Sequence, residues 1–103
     1  MAMSSTEASF LRLNSSAIAN SVSSLTAIYN SKTIATPPTG FPAIDKYDFE
    51  VYLNNRRVPT PQVTSIVQNG ANIEVTLNVA AFLGIPGAEL ESDDEVLLIG
   101  KFN

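Results

Sequence analysis

Glu89, Glu91, Asp93, Asp94 and Glu95 make the densest acidic run in the chain. Carboxylates at that density are the oxygen donors that hard cations such as calcium take. The run lacks the mid-loop Gly and terminal Glu of an EF-hand, so it reads first as a solvated loop whose charges discourage aggregation of the apolar strand that follows. Glu50 and Glu74 are a second candidate, each expected on the outward side of a strand. Two carboxylates on paired strands could divide acid and base work, as in glycoside hydrolysis. Arg56 and Arg57 could grip a carboxylate or phosphate through planar, two-pronged hydrogen bonds. The favoured partner is the acidic run of a neighbouring subunit, through Glu91, Asp93 and Asp94. The chain contains no Cys and no His, which removes disulfides, thiolates, the usual neutral-pH base and the usual transition-metal ligand. It has no Trp and no Gly-rich phosphate loop. These residues therefore predict a non-enzyme, with no catalytic residue, cofactor or metal assigned.

The elements that must position these groups belong to a chain of 103 residues, 45% hydrophobic and 16% charged, with a net charge of -4. That length suits one small domain, or a domain with an extension, which buries a modest share of its surface and gains from neighbouring chains. The acidic balance argues against a nucleic-acid partner, since phosphate binding draws on a basic surface. No apolar run approaches the roughly 20 residues that cross a bilayer, so no membrane partner is expected. The start, Met1 to Glu7, has neither the basic nor the apolar region of a secretory leader, which predicts a chain made in the cytoplasm without a cleaved leader.

Ser4 and Glu7 have capping-box spacing, and no Gly or Pro occurs over 6–31. Leu11, Ser15, Ile18, Val22, Leu25 and Tyr29 then fall at alternating four- and three-residue steps, the seam of a helix that expects a partner helix. Phe10, Leu13 and Ile28 broaden the seam, which favours a trimer; packing of the same helix on its own sheet is the alternative. Residues 1–35 thus form a helical assembly segment. The Pro-rich stretch 36–46 follows as a semi-rigid linker lying along a surface.

Residues 47–103 form a small antiparallel β domain. Tyr47, Phe49, Val51 and Leu53 alternate as an inward face, and Asn54-Asn55 tolerates the positive φ of a turn. Arg56 to Pro59 makes a short edge segment, and a strand follows over 62–68. Asn69-Gly70 signals a type I′ hairpin, with Ile73, Val75, Leu77 and Val79 inward on the return. Residues 80–83 could close one helical turn. The last strand, over 95–102, is apolar on both sides, so it is central in a sandwich or pressed on another subunit, and Val96 and Leu98 join the expected assembly surface. The fold class predicted is α+β: an N-terminal helix, a Pro-rich spacer and a sandwich or meander of about four to five strands.

The run Tyr47-Asp48-Phe49-Glu50-Val51-Tyr52-Leu53-Asn54-Asn55-Arg56-Arg57-Val58-Pro59 resembles a segment common in structural and fibre-associated proteins of tailed bacteriophages. The final strand, Asp94-Glu95-Val96-Leu97-Leu98-Ile99-Gly100, continues the likeness. That resemblance implies a non-enzymatic virion component at a head, neck or tail, made in the host cytoplasm, whose partners are copies of itself and other virion proteins. A carbohydrate- or surface-binding module, with Tyr47 and Tyr52 as contacts, is the competing expectation.

Overall fold

The computed structural model describes residues 14–103. Strands β1 (Asn14–Ile18), β2 (Ser21–Val22) and β3 (Thr26–Tyr29) open it. A 3₁₀ turn at Lys46–Asp48 leads into β4 (Glu50–Leu53) and β5 (Arg56–Val58), and a second at Thr60–Gln62 leads into β6 (Val63–Asn69). Strand β7 (Asn72–Leu77), helix α1 (Val79–Leu83) and β8 (Val96–Lys101) complete the order. Two four-stranded antiparallel sheets result, a front sheet β1-β8-β4-β5 and a back sheet β2-β3-β7-β6. Their inner faces share one core, in which Val51, Val58, Val96 and Leu98 of the front sheet meet Tyr29, Ile73, Val75 and Leu77 of the back sheet. The architecture is therefore a β-sandwich.

Within the described residues, strands stand where the N-terminal helix was expected. Ile18 lies on β1, Val22 on β2, Leu25 in the turn between β2 and β3, and Tyr29 at the end of β3, fully buried. Ile18 and Leu25 are exposed, so no common seam survives. Ser, Asn, Thr and β-branched residues are weak helix formers, and pairing with distant strands satisfies their backbone while Ala27 and Tyr29 enter the core. The Ser4–Glu7 capping box, Phe10, Leu11 and Leu13 lie outside the described residues.

The Pro-rich stretch is likewise no linker between domains, because it crosses from β3 of the back sheet to β4 of the front sheet within the one sandwich. Its approach is stitched down at both sides. Ile34 bridges Phe102, the Ala35 N–H donates to the Lys101 carbonyl at 2.9 Å, and Asn103 bonds Thr33, Ile34 and Thr36. The Gln68 side chain accepts from the Ile34 N–H at 2.8 Å and donates to the Lys32 carbonyl at 3.0 Å. The end of β8 is thereby tied into the fold. Further along, Asp45 and Asp48 cap each other across the first 3₁₀ turn: the Asp45 carboxylate accepts from Tyr47 N–H and the Asp48 carboxylate from Asp45 N–H.

Both hairpin turns follow from their residues. Leu53 pairs with Arg56, leaving Asn54 (φ 50°) and Asn55 (φ 69°) as a two-residue loop with the positive dihedrals of type I′. In the other hairpin Asn69 pairs with Asn72, so the loop is Gly70-Ala71, one residue later than the sequence suggested. Only Gly70 has positive φ there (61°), the pattern of a II′ turn. Val79 is buried as expected, but as the first residue of α1, whose Asn78 cap accepts from the Ala81 N–H and whose end is turned by left-handed Gly84.

Candidate functional site

Strand alternation sends successive residues of the front sheet to opposite sides, and register aligns those that point outward. Ile18 lies opposite Leu97, Leu97 opposite Tyr52, and Tyr52 opposite Arg57, one row across all four strands. The neighbouring row contains Ser16, Ile99 and Glu50. Ile18 is 57% exposed, and Leu97, Ile99 and Tyr52 are half-buried. The outer face of the front sheet thus has Ile18, Leu97, Ile99 and Tyr52 at its middle, with Ser16, Lys101, Glu50 and Arg57 around them.

Two polar contacts hold its edge. The Tyr52 hydroxyl donates to Glu50 Oε1 at 2.8 Å. That hydrogen bond, with lesser contributions from desolvation and the Glu50 charge, raises the phenol above its ordinary range against the opposing pull of Arg57. The Lys101 ammonium pairs with Asp48, the one salt bridge among the described residues. Desolvation pushes the Asp48 carboxyl up, but the Lys101 hydrogen bond, the Asp45 N–H and the Lys101 charge together outweigh it and hold the carboxyl below its ordinary value.

The back sheet presents a different outer face. Ser21, Thr26, Ser65, Asn72, Glu74 and Thr76 occupy it beside Ile28 and Val67, and Thr26 Oγ1 lies 3.1 Å from Thr76 Oγ1. The front sheet thus turns four large apolar or aromatic side chains outward (Ile18, Leu97, Ile99 and Tyr52), the back sheet two (Ile28 and Val67).

The residues expected to form sites are distributed otherwise. Val96 and Leu98 are fully buried between the sheets, and the outward positions of the same strand are Leu97 and Ile99. Val96 to Ile99 is apolar in both parities, so only pairing with β1 and β4 decides which pair faces out. Glu50 belongs to β4 and Glu74 to β7, on opposite outer faces of the sandwich, so they do not form a carboxylate pair. Arg56 and Arg57 are split by the same alternation: the Arg56 guanidinium sits 4.9 Å from the Phe82 ring centroid, while Arg57 joins the outer row.

In the acidic loop, Asp94 accepts from the Glu91 N–H at 2.8 Å and from Asn54 Nδ2 at 3.1 Å, while Asn54 Oδ1 accepts from the Glu95 N–H. Its carboxylate clips the loop to the β4–β5 turn of its own chain. Glu91 and Asp93 are exposed. Among the described residues no group of three or more acidic, Cys or His side chains is placed to hold a metal, and no helix is long and apolar enough to cross a membrane. Tyr47, expected inward, stands 74% exposed on the first 3₁₀ turn, with Lys46 Nζ 5.6 Å from its ring centroid.

Fold and surface together define a small two-sheet β domain whose front sheet turns Ile18, Leu97, Ile99 and Tyr52 outward. No protein-family model matches the chain, and comparison with curated proteins and with solved structures gives no match either.

Proposed function

We propose that this chain is a non-enzymatic structural subunit that assembles with copies of itself and with other proteins of a tailed-bacteriophage virion, at a head, neck or tail appendage. The observation that carries self-assembly is the Ile18–Leu97–Tyr52–Arg57 row with Ile99 beside it, an apolar surface of the kind that marks a protein contact. The virion setting rests on the resemblance of 47–59 and 94–100 to structural and fibre-associated phage proteins. The expected trimer drew on a helical seam whose described part, from Ser15 to Tyr29, lies on strands and turns, so the assembly proposed is a symmetric oligomer built through sheet surface.

Immunogold labelling and peptide mass spectrometry of phage particles released by the host that carries this coding sequence test the setting. Label on an appendage in a constant copy number supports it. Particles that lack the chain, from a lysate that contains it, would overturn it. Exposed Tyr47 favours one second reading, a glycan-binding module, for which saturable binding of a purified monomer that is lost in Tyr47→Ala is the expected result.

A further inference from the structure

We infer that the outer face of the front sheet is a homotypic interface, covered by the same face of a second copy of this chain. The inference rests on the self-assembly reading above and names the surface that performs it. Charge selects the occupant. The chain carries a net charge of -4, so two copies repel through most of their surface. The front sheet is different: among the described outward residues of its strands, Arg57 and Lys101 are balanced by Glu50 and by Asp48, which pairs with Lys101, so no net charge gathers there. Two acidic chains can meet on it without bringing like charges together.

The register also makes the face self-complementary. A twofold axis across the strands, between the row of Leu97 and the row of Ile99, sets Leu97 of one copy against Ile99 of the other. The same operation lays Tyr52 over the second copy's Glu50, with Arg57 one strand away from that carboxylate. Apolar residues meet apolar residues at the centre and opposite charges meet at the edge, the arrangement of an isologous contact. The back sheet, with Ser, Thr, Asn and Glu along its outer rows, offers no equivalent.

Sedimentation equilibrium of the full chain over a dilution series tests this. Wild type is expected to be a dimer or an even-numbered oligomer that dissociates on dilution, and Ile18→Lys or Leu97→Lys to raise the dissociation constant by about 100-fold or more, since each buries an unpaired ammonium. Both side chains point outward, so circular dichroism and the denaturant midpoint should report a folded monomer. Val67→Lys, exposed on the back sheet, is expected to leave the mass unchanged. An oligomer that keeps its full mass in Ile18→Lys and Leu97→Lys, or loses it equally in Val67→Lys, overturns the assigned face while leaving self-assembly standing. A wild-type monomer at every concentration overturns both, and gives the face to another protein or to residues 1–13.

Discussion

The Tyr29 hydroxyl donates to the backbone carbonyl of Val96 at 3.0 Å, joining β3 of the back sheet to β8 of the front sheet through the middle of the core. The ring is fully buried, and the same carbonyl accepts from the Ala19 N–H at 3.0 Å. Desolvation raises the phenol far above its ordinary range, because ionisation would leave a phenolate among aliphatic side chains. Tyr29→Phe is expected to cost about 1 kcal/mol, the hydrogen bond alone, and Tyr29→Ala about 3–5 kcal/mol through the cavity it leaves. Urea unfolding of the variants measures both. Because the folded value is raised, this contribution is complete below the unfolded tyrosine value near 10 and is lost as pH climbs beyond it. Alkaline unfolding of wild type should therefore steepen above about pH 10, and Tyr29→Phe should flatten it.

Gly100 of β8 lies under Phe49, whose ring also packs on Phe102 at 5.8 Å between centroids. A Cβ at Gly100 would collide with the carbons of the Phe49 ring. Gly100→Ala should thus destabilise by about 1–3 kcal/mol despite the usual benefit of replacing Gly in a strand. A double variant Gly100→Ala with Phe49→Leu should lose less than the sum of the two single changes, which thermal unfolding of the cycle would show. Additive losses would contradict the contact.

The two asparagines of the β4–β5 turn share positive φ but not their roles. Asn55→Gly should be neutral or mildly stabilising, whereas Asn55→Val should cost about 1–2 kcal/mol for a β-branched residue in left-handed geometry. Asn54 also joins the turn to Asp94 and Glu95, so Asn54→Gly relieves its dihedral yet should lose about 1 kcal/mol of hydrogen bonding. Amide hydrogen exchange at Glu95 reads the loss of its partner directly, and unchanged protection there would contradict this division.

Acid should act through Asp48. Its folded carboxyl value is lowered, so the stability it brings is present above the unfolded value and disappears as pH falls through the folded one. The denaturant midpoint of wild type should therefore decline below about pH 4, and Asp48→Asn or Lys101→Met should be weaker at neutral pH but less sensitive to acid.

Tyr52 offers a spectroscopic check on the outer face. Glu50→Gln removes the carboxylate that raises its phenol, so ultraviolet titration should show one tyrosine moving back toward the ordinary value while Tyr29 remains protonated until the fold is lost. Dimerisation through this face buries the phenol and should move that titration to higher pH in concentrated protein.

Local chemistry was readable where it was strong. The alternation of Ile73, Val75 and Leu77, the Asn54-Asn55 turn, the short β5 edge closed by Pro59 and the central place of the last strand can all be read from residue type and period. The helical period misled over residues 14–29 for a physical reason. Leu11, Ile18, Val22, Leu25 and Tyr29 satisfy a helical period, but strands bury alternate residues, and the members of that series that lie among the described residues divide between core, surface and turn. Ser- and Asn-rich sequence has too little intrinsic preference to resist what distant partners offer.

The acidic run shows what the chain determined by itself and what it did not. Its residue types dictate a solvated loop before an apolar strand, and its composition alone withholds thiolate and imidazole chemistry. That Asp94 serves as a clip for Asn54, that Glu50 and Glu74 face away from each other, and that Leu97 rather than Leu98 reaches the surface were decided only in the tertiary structure. The reason lies in strand geometry: a side chain's face depends on pairing parity, and a shift of one residue exchanges core for surface. In Val96 to Ile99, where both parities are apolar, residue type cannot choose between them; hydrogen bonding to β1 and β4 does.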